Sequence, residues 1–132
     1  MSAAVALLAL SAGLVSCSAG TKPAAPGGDC PVSPVDVVVS VDQWGDIVSE
    51  LGGACARVAT LLAGSAADPH DYEPTPADAA AFRNARLVVV NGGHYDEWAA
   101  KLAAASAPTA PVVIAAPDAT SNPHVWYDPA AV

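Results

Sequence analysis

The sequence predicts an α/β fold, a single lobe built on a four-stranded, mainly parallel sheet flanked by helices. Four short apolar segments are rich in β-branched residues, and three segments between them carry apolar residues at helical spacing. Glycine or polar turns separate the two kinds of segment. Short strands that alternate with helices are typical of βαβ units, in which helices cover a parallel sheet.

The first two predicted strands enclose one helix. The β-branched run 35–41 predicts a buried strand, and segment 43–51 has the apolar spacing of a helix that ends at a Gly-Gly pair. Residues 56–62 form the second predicted strand. A long polar loop over 64–75 follows it.

The second helix has its own start signal. Thr75 can cap it, Pro76 suits its first turn, and Asp78 occupies the acidic position of a capping box. A helix is therefore predicted from this point to about Ala85. Three more elements follow: a strand over 87–90, a helix over 94–105 and a strand over 111–115. The three tryptophans are expected to pack in the core or at an interface: Trp44, Trp98 and Trp126.

The composition favours a packed domain and excludes one class of partner. Hydrophobic residues make up 53% of the chain and charged residues 14%, which suits a buried core. Thirteen acidic residues stand against five basic ones, for a net charge of −8. A nucleic-acid surface needs a basic patch, so we expect no nucleic-acid partner. The acidity is compatible with cation collection and equally with simple solubility.

The N-terminal segment 1–16 is predicted to be a signal peptide of the lipoprotein type. Its apolar run is shorter than the roughly 20 residues that span a bilayer, and it has the length of a signal core. The run ends in Leu-Val-Ser-Cys, which resembles a bacterial lipobox with Cys17 as the lipidated residue. No Lys or Arg precedes the run, and an ordinary cleaved signal or a buried helix with a chance cysteine is the alternative.

Residues 17–34 are predicted to form a flexible tether between a lipid anchor on Cys17 and the folded lobe. They are rich in Gly, Pro and small residues, which cannot build a core. Cys30 and Cys55 are the other two cysteines. An even pair in an exported domain indicates a disulfide, with free thiols as the alternative. Their wide spacing lacks the C-x-x-C pattern of a thiolate metal site.

Two histidines follow predicted strands, and each stands directly after a proline. His70 lies in Asp-Pro-His-Asp-Tyr-Glu-Pro-Thr-Pro at 68–76, and His124 lies in Asn-Pro-His-Val-Trp-Tyr-Asp-Pro at 122–129. Ligands collect at the carboxyl ends of parallel strands, so both imidazoles are predicted to reach one edge of the sheet. Proline stiffens each approach. Two imidazoles at one edge form half of a tetrahedral transition-metal site.

The two segments resemble the motifs of the zinc- and manganese-binding solute-binding proteins of ABC importers, the family called cluster A-I. Segment 68–76 matches D-P-H-x-Y-E-P-T-P fully, and segment 122–129 matches D-P-H-x-W-x-D-P except that Asn122 replaces the leading Asp. Segment 85–98 is similar to the strand and glycine turn of the family. The resemblance covers roughly residues 35–132.

The resemblance implies that His70 and His124 are metal ligands, and that a His or Glu and an Asp from a second lobe complete the site. Segment 35–132 would then be the N-terminal lobe of a two-lobe protein. The family's inter-lobe helix would begin at Asp128, which is expected to cap a helix. We therefore expect the chain to be part of a longer protein, and two imidazoles alone to bind metal weakly.

Three further residues are candidates for supporting roles. His94 follows the third predicted strand and is either an auxiliary ligand or a surface residue. Asp71 and Glu73 could orient His70 by hydrogen bonding, or they are solvated loop acids.

The implied function is capture of a divalent transition-metal ion outside the cytoplasm and its delivery to an ABC-transporter permease, without catalysis. Zn²⁺ is the expected ion on ligand softness, with Mn²⁺ as the alternative. We expect a monomer attached to the bacterial cell membrane through its lipid anchor. A surface adhesin of the same family is an alternative. A zinc hydrolase is disfavoured because the sequence lacks H-E-x-x-H and G-x-S-x-G.

Overall fold

The computed structural model describes residues 29–65, 67–117 and 122–130. The predicted signal peptide, Cys17 and most of the predicted tether lie outside the described residues. Within these ranges, no helix has both the length and the hydropathy needed to cross a bilayer.

The described chain forms one parallel sheet covered by helices, which confirms the predicted fold class. The sheet has the strand order β2-β1-β3-β4, and all three pairings are parallel. The elements are β1 (Val35–Val41), α1 (Asp42–Gly52), β2 (Ala56–Leu62), α2 (Pro76–Phe82), β3 (Leu87–Val90), α3 (Glu97–Ser106) and β4 (Val112–Ile114), with short 3-10 helices at Gly53–Cys55 and Val125–Tyr127. The structure places the strands within one residue of the predicted limits.

The core lies along β1 and β3, the two central strands. A strand covered by helices on both faces has no solvent side, which explains why β3 is an unbroken apolar run and why β1 is apolar except at Asp36 and Ser40. The edge strand β4 is about half exposed along its length. The largest apolar side chains with almost no exposed surface are Val39, Val41, Phe82, Val88 and Val90.

Helix α1 packs very closely on the sheet at one glycine. A Cβ atom added to Gly45 would lie 2.4 Å from the hydroxyl oxygen of Thr60 in β2, so only glycine fits there. The helix ends at Gly52, and its C-cap residue Gly53 has a φ of 48°, which favours a residue without a side chain. The close approach brings Trp44 of α1 against the carboxyl edge of the sheet, where it is buried.

Helix α2 begins as the sequence predicts and ends earlier. The hydroxyl of Thr75 accepts from the backbone N–H of Asp78, and the Asp78 carboxylate accepts from the backbone N–H of Thr75, which is a complete capping box. The helix stops at Phe82 rather than near Ala85. The reason is that the backbone N–H of Arg86 donates to the carbonyl of Asp36 in β1 at 2.8 Å, so the chain has already joined the sheet there.

Helix α3 begins at Glu97 and not at His94, as the sequence suggested. Gly92, Gly93 and His94 have φ values of 82°, 59° and 65°, which lie in the left-handed region and cannot continue a right-handed helix. His94 is the only non-glycine residue with positive φ among the described residues. This turn connects β3 to α3 at the carboxyl edge of the sheet.

Cys30 and Cys55 form a disulfide in the structure. Cys30 lies five residues before β1, and Cys55 lies directly before β2. The bond joins residues separated by 25 positions and ties the start of the lobe to the amino edge of the sheet. A cross-link of this kind stabilises mainly by restricting the unfolded chain.

Reduction of this disulfide is expected to lower the free energy of unfolding by about 3 kcal/mol, because the closed loop is of intermediate length. Denaturant unfolding with and without a reductant measures the change. The variant with Cys30→Ser and Cys55→Ser is the control, and its midpoint should not respond to the reductant. A wild-type midpoint that is the same in both conditions would show that the thiols are free.

Candidate metal centre

His70 and His124 meet at the carboxyl edge of the sheet. His70 lies in the loop after β2, and His124 lies beyond β4, at the start of the short helix Val125–Tyr127. Their ring centroids are 6.3 Å apart, with an angle of 64° between the ring planes. Two imidazoles that bind one zinc ion have centroids within about 6 Å, since each Zn–N bond is about 2.0–2.1 Å. Small side-chain rotations would therefore let both rings reach one ion.

The ring of His70 is oriented by a backbone carbonyl. Its Nδ1 lies 3.2 Å from the carbonyl oxygen of His94. A carbonyl only accepts hydrogen bonds, so Nδ1 carries the proton and Nε2 of the neutral ring keeps a free lone pair. The backbone N–H of His70 donates to Oδ1 of Asp68 at 3.0 Å. These contacts leave Nε2 as the atom available to a metal ion.

The ring of His124 is oriented by Asn122 in the same sense. One atom, Oδ1 of Asn122, lies 3.0 Å from the backbone N–H of His124 and 2.7 Å from its Nδ1. Because the backbone N–H can only donate, this atom is the amide oxygen, and Nδ1 must donate to it as well. Asn122 thus performs the backbone contact that Asp68 makes in the other loop, and Nε2 of His124 is again the free nitrogen.

Tyr95 packs against both imidazoles. Its ring is edge-on to His70 at 4.9 Å and to His124 at 5.4 Å, and the residue is buried. Burial raises the pKa of the Tyr95 phenol, and the negative charge of Asp68 and other nearby acids raises it further. Tyr95 is therefore a neutral ring that separates the two histidines from the core.

The turn that carries Tyr95 is held by a buried carboxylate. Asp96 is 1% exposed, and its oxygens accept from the backbone N–H of Asn91 at 2.7 Å and of Gly92 at 2.8 Å. The hydroxyl of Ser40, in β1, donates to the same carboxylate. Buried charges are tolerated where such donors replace water.

In the structure the ring of His94 contacts an acidic neighbour, and its role as an auxiliary ligand stays a prediction. Its ring is exposed, and Nδ1 contacts the carboxylate of Glu97. The hydrogen bond from His94 and the neighbouring Lys101 hold the pKa of Glu97 below its usual value. His94 contributes to the site through its backbone carbonyl, which faces His70.

Asp71 and Glu73 do not touch the His70 ring among the contacts of the described residues. Both side chains are exposed. The partners that orient the two imidazoles are instead the carbonyl of His94 and the side chain of Asn122. The sequence does not predict the contact with the His94 carbonyl, because every residue has a backbone carbonyl. Asn122 was visible as part of the motif.

The loop that carries His70 is fixed at its far end to α2. The Tyr72 hydroxyl donates to the carboxylate of Asp78 at 2.8 Å, and the Tyr72 ring packs on Trp98 at 4.8 Å. Burial raises the pKa of Asp78, but hydrogen bonds from Thr75 and from Tyr72 outweigh it and leave that pKa below its usual value. The ionised Asp78 thus holds both the helix start and the loop.

Among the described residues, no group of three or more His, Cys, Asp or Glu side chains is placed to hold a metal ion. The two imidazoles therefore offer two of the four ligands that a tetrahedral zinc site uses. Their donor atoms, both Nε2, suit zinc and other borderline transition metals.

Comparison with known proteins assigns the chain to a family. One family profile, described as ZnuA, zinc-uptake complex component A, periplasmic, matches residues 37–132, most of the chain. The chain belongs to the ZnuA family. The matched range contains His70, His124, the turn between β3 and α3, and all of the sheet except the first two residues of β1.

Two curated relatives support the assignment. The manganese-binding lipoprotein MntA of Halalkalibacterium halodurans is 30% identical over 100 residues, which cover 70% of this chain and 33% of the relative. A putative metal-binding protein of Thermotoga maritima is 31% identical over 93 residues, which cover 70% of this chain and 34% of the relative. The chain thus spans about a third of the length of the curated relatives that it matches.

Solved structures of the ZnuA family have the same fold. A crystal structure of ZnuA superposes with a TM-score of 0.67 at 25% identity, covering 75% of this chain and 42% of that one. The periplasmic zinc-binding protein TroA of Treponema pallidum has a TM-score of 0.63 at 25% identity. The match covers 73% of this chain and 38% of TroA. FpvC of Pseudomonas aeruginosa, in complex with Mn²⁺, has a TM-score of 0.64 at 26% identity. The match covers 75% of this chain and 39% of FpvC.

Asp78→Asn is expected to lower the free energy of unfolding near neutral pH. A depressed pKa in the folded state gives stability that is present above the unfolded pKa and is lost as pH falls through the folded pKa. The difference between wild type and Asp78→Asn should therefore shrink as pH falls below about 5, as measured by denaturant unfolding across pH.

Asp71→Asn is the matched control, because it removes an exposed carboxylate from the same loop. Its effect should stay within about 0.5 kcal/mol at every pH. If Asp78→Asn behaved like this control, the carboxylate of Asp78 would not be the group that holds the loop.

Proposed function

We propose that the chain supplies two imidazole ligands, from His70 and His124, to the metal site of the extracytoplasmic solute-binding component of an ABC importer. The ion is cargo: the protein captures it outside the cytoplasm and delivers it to the membrane permease. Zn²⁺ is the proposed ion. The remaining ligands, a His or Glu and an Asp, would come from a second lobe of the whole protein.

The observation that supports this proposal is the proximity of the two imidazole rings, each with its Nδ1 atom on an oxygen acceptor. The two rings are 6.3 Å apart although the residues are 54 positions apart in the sequence, and the Nδ1 atom of each is occupied by an oxygen acceptor. In metal-binding histidines, the nitrogen that does not bind the metal usually donates to a carbonyl, a carboxylate or water, which fixes the ring. Both histidines have this arrangement in the structure.

Zinc is favoured over manganese by the chemistry of the two donors. Imidazole nitrogen suits zinc, whereas manganese prefers carboxylate, carbonyl and water oxygens. Membership of the ZnuA family, described as a zinc-uptake component, points the same way. The relative named manganese-binding lipoprotein makes Mn²⁺ the second candidate.

The proposed location is the outer side of the bacterial cell membrane, with a lipid on Cys17 as the anchor. The Leu-Val-Ser-Cys sequence and the small residues after it support this proposal, as does the name of the MntA relative, a lipoprotein. Residues 17–34, which are rich in Gly, Pro and small residues, would serve as the tether between this anchor and the lobe. The proposed partner is the permease of the importer.

His70→Ala and His124→Ala are each expected to reduce zinc affinity by more than about 100-fold, because each removes a ligand. Loss of a group that only hydrogen-bonds to a ligand typically costs about 10–100-fold. Affinity is measured on the full-length protein by competition with a chromophoric chelator. His94→Gln is the matched control, since it alters the third histidine at the same edge and keeps the backbone carbonyl. It should bind zinc like the wild type.

A zinc affinity that survives both ligand substitutions would overturn the assignment of the site. A loss in His94→Gln equal to that in His70→Ala would make the His94 ring a ligand after all.

The ion is tested in cells. A strain that lacks the gene should fail to grow when divalent metals are withheld by a chelator, and added zinc should restore growth at lower concentration than added manganese. Equal growth of the mutant and wild type under chelation would argue against a role in metal import, and rescue by manganese alone would reassign the cargo.

A further inference from the structure

The peptide bond before each histidine is held at its N–H end in the same way. The backbone N–H of His70 donates to Oδ1 of Asp68, and that of His124 donates to Oδ1 of Asn122, each at 3.0 Å. In both loops the acceptor is the side chain two residues earlier in the chain, which is a local turn that short polar side chains favour.

The same two peptide bonds are also held at their carbonyl ends, by side chains from elsewhere in the fold. The indole N–H of Trp98 donates to the carbonyl of Pro69 at 3.1 Å. The side-chain amide of Asn91 donates to the carbonyl of Pro123 at 3.0 Å. Both donors are buried, at 9% and 0% exposure, so each bond is at least partly shielded from water.

Two bonds at opposite ends of one peptide unit fix its orientation, because the unit is planar and rigid. The carbonyl of Pro69 and the N–H of His70 belong to one such unit, and those of Pro123 and His124 belong to another. Once the plane is fixed, the direction in which the histidine side chain leaves the backbone is restricted to the small set of allowed φ values.

The two side chains that donate to these carbonyls, Asn91 and Trp98, both lie in segment 91–98, which we call the bracing segment. Asn91 is itself held by Trp44, whose indole N–H donates to its side-chain oxygen at 2.8 Å, and by the buried carboxylate of Asp96. Trp98 is held by ring packing on Tyr72. The bracing segment is thus a rigid frame that reaches one histidine loop from each of its ends.

We infer that Trp98 and Asn91 are positioning residues for metal capture, which hold the Pro69–His70 and Pro123–His124 peptides so that both imidazoles face one ion. The inference rests on the proposed role of the two histidines as ligands. A frame that fixes the ligands in advance removes the ordering cost from binding, which is the general benefit of preorganisation.

Trp98 provides the cleaner test, because its hydrogen bond to Pro69 and its ring packing on Tyr72 can be changed separately. Trp98→Phe keeps an aromatic ring against Tyr72 and removes the indole N–H that reaches Pro69. Leu102→Ala is the matched control. Leu102 packs partly buried on the same helix, so this variant loses packing near Trp98 without loss of a hydrogen bond to either loop.

The first measurement is zinc affinity of the full-length protein, at a temperature where every variant is folded. Trp98→Phe should weaken zinc binding by about tenfold, the scale of losing an orienting partner. Leu102→Ala should be less stable than the wild type and bind zinc equally well. A Trp98→Phe variant with wild-type affinity would overturn the inference, as would an equal loss of affinity in the control.

The second measurement needs no metal, so it separates this inference from the proposed function. The ¹⁵N shifts of the imidazole rings report which nitrogen carries the proton. In apo Trp98→Phe, the His70 ring should shift toward a mixture of tautomers because its contact with the His94 carbonyl loosens, while the His124 ring keeps the wild-type shifts. Unchanged His70 shifts would contradict the positioning role even if the wild type bound no zinc.

If Trp98→Phe does not fold, 3-benzothienylalanine at position 98 replaces it. This analogue has nearly the shape of tryptophan and lacks the N–H, so packing is preserved. Loss of zinc affinity together with the His70 tautomer change in that protein is the expected result, and wild-type behaviour in both would overturn the inference.

Discussion

A buried carboxylate at the carboxyl edge of the sheet holds the turn on which the candidate site depends. Asp96 has almost no exposed surface, and it draws the N–H groups at the end of β3 and the hydroxyl of Ser40 onto its two oxygens. These bonds compensate the cost of removing the charge from water. They also force three consecutive left-handed residues before α3, so that segment 91–98 stands between the two histidine loops and contacts both.

The sequence predicted the sheet well because its signals are local. Short β-branched runs, a Gly-Gly stop and the capping box of Thr75 and Asp78 depend only on neighbours in the chain. The proximity of His70 and His124 was also predictable, since parallel strands bring their carboxyl ends to one edge. The start of α3 was not, because the conformation of His94 is imposed by contacts that form only in the folded lobe.

The bracing contacts were beyond sequence reasoning for a related reason. Trp98 lies on the apolar face of α3, which predicts a core residue, and its ring is indeed buried. What gives it a further role is one N–H that meets a proline carbonyl 29 positions away. Likewise, neither imidazole is oriented by a carboxylate: a backbone carbonyl serves His70 and an amide oxygen serves His124. Neutral acceptors raise the basicity of an imidazole less than carboxylates do.

The central claim is that one ion is shared by the Nε2 atoms of His70 and His124. A crystal structure of the zinc-loaded full-length protein, with anomalous scattering measured at the zinc absorption edge, tests it most directly. The account predicts a single zinc peak with both Nε2 atoms at about 2.0–2.1 Å, and with both Nδ1 atoms still on the His94 carbonyl and Asn122. Zinc bound through Nδ1, or held by one of the two rings alone, would contradict it.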